Sequence, residues 1–263
     1  MAPLYSIILP AFNESSRLAA SLAKALAFVR EKRWSVEIIV VNDGSRDDTA
    51  EIVKRFMLEA PEIRLLENPG NRGKGYSVRN GMLNAGGEIL LFSDADFSSP
   101  IEESIKLIDA IAQGADVAFG SRWLLAETQT LRQSLLRQFV GRVYNLLLRL
   151  VLGLPYKDTQ CGFKAFTRPA AEVIFTRQQI ERWGFDPELL FIARKFGLKM
   201  TEVPVAWAND DRSKVNLIVD GFKMFYELLK IRIYGMTGQY LRPTFQFFAS
   251  TSGTVLVEGK RPA

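Results

Sequence analysis

Short apolar runs alternate with segments whose apolar residues recur every three or four positions, and this alternation fills residues 5–122. The run "YSIILP" (5–10) predicts a strand, and the segment after it a helix carrying Leu18, Leu22, Leu26 and Val29 at helical spacing. "VEIIVVND" (36–43) predicts a second strand, and residues 47–59 a second helix. "IRLLEN" (63–68) followed by 74–85 repeats the unit, as does "EILLFSD" (88–94) followed by 101–113. "ADVAFGSR" (115–122) closes the series with a fifth strand. Strands that are apolar throughout, rather than at alternate residues, are covered on both faces. The pattern therefore predicts an α/β fold, a mostly parallel sheet flanked by helices.

After Arg122 the pattern changes. Residues 131–152 form a helical stretch in which Arg132, Arg137, Arg142 and Arg149 interleave with Leu135, Leu136, Phe139, Val143, Leu147 and Leu150. A core helix whose arginines reach out to solvent fits this pattern. So does a helix lying in a membrane interface, apolar side in the acyl boundary and arginines on lipid phosphates. A compact segment, "DTQCGFKAF" (158–166), is followed by helices near 169–177 and 186–197, a strand at 199–207 and an amphipathic helix at 216–234. Within that last region, 222–236 suits either packing on the sheet or a second interfacial helix. The expected organisation is one domain over 1–241, with a nucleotide half at 1–122, an acceptor half at 123–241 and a loosely ordered tail at 242–263.

Ligands of parallel sheets bind beyond the carboxyl ends of the strands, so the strand exits carry the candidate chemistry. In "LLFSDADFSSP" (90–100), Ser99 and Pro100 account for a helix start and leave Asp94 and Asp96 unused. Two carboxylates one residue apart at a strand exit suit a divalent cation gripping a diphosphate, because Mg²⁺ and Mn²⁺ take one or two carboxylates plus phosphate oxygens. Asp43, in "NDGS", forms a turn on one reading; on the other it accepts hydrogen bonds from a nucleobase or ribose while Gly44 leaves room for the ring. Asp47 or Asp48 is expected to cap the next helix. "NPGNRGKGYS" (68–77) lacks the residues of a Walker A loop. It reads either as a solvated turn or as an anion site at a helix N-terminus, with Arg72 and Lys74 nearby. Asp186 is expected first to cap the helix beginning at Pro187, with approach to the sugar or acceptor as the second reading, and Cys161 to pack as a small buried residue.

Composition narrows the chemistry. The 263 residues are 48% hydrophobic and 24% charged, which suits a globular protein with a sizeable core. A single cysteine excludes an internal disulfide. The absence of histidine removes imidazole bases, Ser-His-Asp triads and imidazole metal ligands, so any metal is held by oxygen. The net charge of +5 favours nucleotides, lipid phosphates or an acidic membrane surface as partners. No run reaches the roughly 20 apolar residues of a bilayer span. The N-terminus has no basic leader, so the mature chain is expected to begin near Met1.

Taken in order, "SIILPAFNES", "EIIVVNDGSRDDT", "NRGKGYSVRNGM" and "FSDADF" resemble the GT-A domain of family 2 glycosyltransferases, inverting enzymes that use nucleotide sugars. "DTQCGFKAFTR" and "IERWGFDPELLFIA" are similar to segments of the dolichyl-phosphate β-glucosyltransferases, relatives of the dolichyl-phosphate mannose synthases. The resemblance spans roughly residues 5 to 235. It implies that Pro10, Asn13 and Glu14 line the nucleotide pocket and that Asp43 reads uracil. Asp94 would face the ribose and diphosphate, and Asp96 would bind Mg²⁺ or Mn²⁺ beside it; the charge developing on a leaving diphosphate itself calls for Lys74 or Arg122 nearby. Arg122 would touch phosphate, Arg142 the acceptor phosphate, and Asp158 would be the active-site carboxylate. One departure is Ser98, where the mannose synthases carry a metal-binding glutamine.

The implied reaction moves glucose from UDP-glucose to a polyprenyl or dolichyl phosphate. The enzyme would be cytoplasmic and held peripherally on an anionic membrane surface, with no nucleic acid involved. Two other readings stay open: transfer of another sugar, such as mannose from GDP-mannose, or transfer to a saccharide hydroxyl; and a nucleotide- or membrane-binding module without turnover.

Overall fold

The computed structural model describes residues 2–124, 146–208 and 217–247, with side chains from residue 225 onward in the last stretch. Four strands, β1 (Tyr5–Ala11), β2 (Val36–Asn42), β3 (Ile63–Glu67) and β4 (Ile89–Phe92), pair in parallel in the order β3-β2-β1-β4. Their connections are α1 (Leu18–Glu31), α2 (Thr49–Glu59) and α3 (Lys74–Leu83). A 3₁₀ turn at Ile101–Glu103 leads into α4 (Ser104–Ala112). That turn carries no side-chain cap, so Ser99 does not play the capping part expected of it; Pro100 takes the cap position.

The two-residue period of the strands separates the core into layers. Ile7, Leu9, Ile38 and Val40 pack with Leu18, Leu22 and Val29 of α1 and Val53 of α2. Ile8, Ile39 and Val41 point the other way, onto Val78 and Met82 of α3. Both faces are covered, as continuous apolar strands require. Pro10, which has no N–H to give a neighbouring strand, lies past Ile8, the last β1 residue paired with β4.

The second half extends the same sheet. It contains β5 (Val117–Ser121), α5 (146–152), β6 (Lys164–Thr167), α6 (Arg168–Phe175), α7 (Phe185–Lys195), β7 (Met200–Pro204) and α8 (Leu217–Met236). The described residues form a seven-stranded sheet in the order β3-β2-β1-β4-β6-β5-β7. β6 runs antiparallel between β4 and β5, while β7 is parallel to β5. The hydrophobic pattern does not announce β6, because it has four residues and one of them is the fully buried Lys164.

Of the basic leucine-rich stretch, only 146–152 falls within the described residues; Arg132, Arg137 and Arg142 lie outside them. In α5, Leu148 and Leu152 enter the core while Leu146, Arg149 and Leu150 are exposed. α8 divides similarly: Leu228 and Ile231 are buried, and Phe225, Tyr226, Leu229, Ile233 and Met236 are exposed. The tail differs from expectation over 242–247. Phe245 and Phe247 pack against the core, and Phe245 lies 4.0 Å from the Arg79 guanidinium. Residues 248–263 lie outside the described residues.

A buried carboxylate ties these late elements together. Glu188 of α7 accepts the N–H groups of Gln179 (2.8 Å) and Ile180 (2.9 Å) and the Tyr240 hydroxyl (2.8 Å). Burial nevertheless pushes its pKa up to about 7. A folded pKa above the unfolded one means that this group favours folding most at low pH and loses that contribution as pH rises toward 7. Between pH 5 and 8, the wild type should lose on the order of 3 kcal/mol relative to Glu188→Gln. Denaturant midpoints across that range test this, and parallel pH profiles would refute it.

Candidate active site

The carboxyl ends of β1, β2, β4 and β5 deliver the chain to one rim of the sheet, where the sequence-predicted residues gather. Beyond β1 the backbone turns at Asn13, whose φ is +53°. Its N–H donates to Ser45 Oγ (2.9 Å), and its side-chain oxygen accepts from the Arg46 N–H (2.8 Å). Glu14 N–H donates to Thr49 Oγ1 (2.8 Å). The exits of β1 and β2 thus form one hydrogen-bonded unit. Asp47 completes it by accepting from the N–H groups of Ser15 and Thr49, and these bonds outweigh burial to bring its pKa down to about 2.

Asp43 is buried and accepts three hydrogen bonds: from Asn68 Nδ2 (2.8 Å), the Arg72 N–H (2.9 Å) and the Gly73 N–H (2.8 Å). It therefore pins the glycine-rich loop. A side chain on Gly44 (φ +69°) would come within 2.6 Å of the Gly70 backbone, so glycine here permits the close approach of that loop. Residues 69–72 of the loop are exposed, while the backbone on either side of Lys74 is tied down. Asp43 takes two of its N–H groups, and the Tyr76 N–H donates to the Glu181 carbonyl (3.0 Å). What the loop does deliver is Lys74.

Lys74 Nζ pairs with Asp94 Oδ1. Burial works against the ammonium, but Asp94, Asp186 and Asp96 outweigh it and raise its pKa. A Cβ on Gly162 would come within 2.7 Å of Asp94 Oδ2 and 2.8 Å of Lys74 Nζ, so a side chain there would push the ends of this pair aside. Asp96 Oδ1 accepts from Ser98 N–H (2.9 Å) and Ser98 Oγ (2.8 Å), while Oδ2 accepts from Arg17 Nη1 (2.9 Å). Ser98, where a metal-binding glutamine was the relatives' pattern, orients Asp96. Arg17 also forks onto Glu14, bonding through Nε and through Nη2 (2.8 Å).

Deeper in, Arg122 grips Asp158 through Nε (2.7 Å) and Nη2 (2.9 Å), and its own N–H adds a third bond (3.0 Å). Both groups are shifted against burial: Asp158 lowers the acidity of Arg122, and Arg122 holds the Asp158 pKa below its ordinary value. Glu202 anchors the loop by accepting the Asp158 N–H (2.8 Å). The buried Lys164 donates to the Cys161 carbonyl (2.6 Å) and pairs with Asp186. Asp186 makes no capping bond; burial, the largest influence, raises its pKa against the pull of Lys164 and Lys74. Cys161 is buried as expected, and its thiol is pushed up to about 11. Arg142 lies outside the described residues.

The sequence reading missed Arg17 and put capping ahead of a site role for Asp186. The three-residue spacing of Glu14 and Arg17 on a turn entering a helix was the available signal for the first. Asp186 stood in a quoted motif, but its place before Pro187 suggested capping instead.

A parallel sheet with one antiparallel insertion, carrying an Asp-x-Asp at a central strand exit, is the GT-A arrangement, and residues 6–175 match the family model for glycosyl transferase family 2. The chain belongs to that family and is a glycosyltransferase. Its relatives include a dolichyl-phosphate beta-glucosyltransferase of Trichomonas vaginalis, 39% identical over 89% of this chain and 72% of the relative. Enzymes of the same description from Saccharomyces cerevisiae and Homo sapiens are 35% and 32% identical, each over 89% of this chain and 76% of the relative. Among solved structures, mannosyl-3-phosphoglycerate synthase of Rubrobacter xylanophilus superposes with a TM-score of 0.68 at 15% identity, covering 90% of this chain and 75% of that one. Glucosyl-3-phosphoglycerate synthase of Mycobacterium tuberculosis, in complex with Mn²⁺ and UDP-glucose, superposes at 0.62 with 19% identity, covering 90% and 79%. At these identities the structures speak for the fold alone.

A buried ion pair is costly to break from one side. Arg122→Met, which strands the buried Asp158, should cost about 3–5 kcal/mol, Asp158→Leu less because Arg122 is partly exposed, and the two together should recover much of the loss. A double-mutant cycle by urea denaturation reads this directly; additive losses would show that the two charges do not depend on each other.

Proposed function

We propose that this chain transfers glucose from UDP-glucose to dolichyl phosphate, or a similar polyprenyl phosphate, with inversion at the anomeric carbon and with Mg²⁺ or Mn²⁺. The observation that carries the proposal is the linked charge cluster at the sheet rim: Asp94 with Lys74, Asp96 with Arg17, Asp158 with Arg122, and Asp186 with Lys164. The relatives' names support the sugar and the acceptor.

Among the described residues no group of three or more acidic or sulfur side chains could hold a metal ion. A hard cation that takes most of its oxygens from a diphosphate and water fits this donor set, with Asp94 and Asp96 as the protein's share. When bound, it supplies positive charge to the departing diphosphate.

In the reaction, a phosphate oxygen of the acceptor forms a bond to the anomeric carbon as the bond from that carbon to the β-phosphate oxygen breaks, and the electron pair leaves with UDP. Lys74, paired with Asp94, would supply positive charge to that developing charge. No general base is required, because a phosphate monoester with a second pKa of about 6 is already largely ionised at neutral pH. A chain without histidine suits such an acceptor. Asp158, held low by its bidentate arginine, is a poor proton acceptor, and its role is to aim Arg122 at phosphate. Arg142 joins it on the acceptor side. On the donor side, Pro10, Asn13 and Glu14 border the nucleotide, and Asp43 offers uracil the remaining acceptor position of its carboxylate.

The acceptor half, 123–241, would meet the membrane. No helix among the described residues is long and apolar enough to cross one. The exposed Phe225, Tyr226, Leu229, Ile233 and Met236 of α8 support a peripheral contact instead. Beside them Arg194, Lys195 and Arg232 line a cavity of about 310 Å³ floored by Leu152 and Phe191, a charge pattern suited to anionic headgroups on the cytoplasmic face. Glu227 of α8 accepts the Gly184 N–H (2.7 Å) two residues before Asp186, linking this face to the charged rim.

Incubation with UDP- and GDP-sugars, Mg²⁺ or Mn²⁺ and a short polyprenyl phosphate should give a glucolipid from UDP-glucose alone, and a mannolipid from GDP-mannose would overturn the choice of sugar. Asp96→Ala should cut turnover by at least about 10²-fold with the fold intact by circular dichroism; full activity would remove its assignment. Co-sedimentation with anionic vesicles should weaken in Leu229→Ser/Ile233→Ser and at high salt; indifference to both would remove the membrane face.

A further inference from the structure

Arg17 belongs to none of the roles assigned so far, yet it touches the residue at the centre of the donor site. Its guanidinium bonds Asp96 Oδ2 at 2.9 Å and holds Glu14 with its other two nitrogens. Asp96 Oδ1 is meanwhile taken by Ser98 N–H and Oγ. The neighbouring carboxylate, Asp94, is paired with Lys74. Both acids of the Asp-x-Asp pair are thus already neutralised by the protein's own cations.

We propose that Arg17 is an internal stand-in cation: it occupies the acidic seat in the empty enzyme, opposes binding of a divalent cation alone, and so couples the entry of metal and nucleoside diphosphate. The inference rests on the metal reading of Asp94 and Asp96 given above.

The argument is one of charge balance. A divalent ion arriving alone must draw Asp96 away from Arg17 and Asp94 away from Lys74. It gains at most two carboxylates, since the described residues present no larger acidic group. It also leaves two displaced cations beside a doubly charged ion, in a site where these side chains are between 16% and 40% exposed and solvent screens only in part. A nucleoside diphosphate reverses each of these terms. Its oxygens complete the ion's coordination, and its negative charge gives Arg17 and Lys74 a new partner.

Glu14 makes the exchange mechanically simple. Two of the arginine's nitrogens stay on Glu14, itself fixed by its N–H to Thr49, so the guanidinium can release Asp96 and remain at the rim. Each ligand must then raise the affinity for the other by the same factor.

The test is Mn²⁺ binding, followed by electron paramagnetic resonance and calorimetry, with and without UDP. In the wild type, Mn²⁺ alone should bind weakly and UDP should tighten it by about tenfold or more. Arg17→Gln removes the charge; Mn²⁺ alone should then bind several-fold more tightly, and the UDP enhancement should shrink. Arg17→Lys keeps the charge and should restore weak binding in the absence of UDP, which a merely structural loss in Arg17→Gln would not explain. Circular dichroism confirms that both variants are folded.

If Arg17→Gln leaves the metal affinity or the UDP enhancement unchanged, or weakens Mn²⁺ binding in the absence of UDP, the stand-in role is overturned while the metal reading stands. If neither form binds Mn²⁺ even with UDP, the metal reading of Asp94 and Asp96 falls, and the proposal with it.

Discussion

An ionised side chain withdrawn from water costs several kcal/mol unless an opposite charge comes with it, and the rim of this sheet withdraws several at once. The fold meets that constraint by assigning each acid a cation from a different element. Lys74 reaches Asp94 from the start of α3, Arg17 reaches Asp96 from the turn before α1, and Lys164 on β6 meets Asp186 on α7. Arg122, just past β5, closes on Asp158 from the following loop. Removing any one of these elements would strand a charge on another, so the arrangement of the rim and the order of the strands are one design.

That design separates two tasks. Pairs near the surface, Asp94 with Lys74 and Asp96 with Arg17, are partly hydrated, as the proposed exchange of partners requires. The Asp186–Lys164 pair is buried on both sides, and Asp158 is buried beneath a partly exposed Arg122 that holds it through three bonds. A transferase of this family has to bind and release a charged leaving group while holding its acceptor site still. Surface pairs over deeper ones draw on the same three kinds of side chain.

The parallel half of the fold was legible because its strands are long and apolar throughout, as "VEIIVVN" shows. The antiparallel β6 was not, because the sheet on either side makes up for what "KAFT" lacks in strand signal. Strand-end acids could be read as a group, since parallel topology alone sends Asp43, Asp94 and Asp96 to one edge. What each acid touches could not be read. Asp43 serves the 70–73 backbone and Asp186 serves a lysine 22 residues earlier, contacts set by loop packing that has no period. Helix-capping logic failed at Asp186 because a buried ammonium outbid the backbone N–H groups for its carboxylate.

The place of β6 bears on how the protein is born. β4 ends at Phe92, but its second neighbour does not begin until Lys164, some seventy residues later in synthesis. While those residues emerge from the ribosome, the first four strands can assemble with one raw flank of unsatisfied peptide groups along Ile89–Phe92. Until β6 is made, that flank stays open to pairing with another growing chain, and closing it early depends on the later half of the sequence arriving in time.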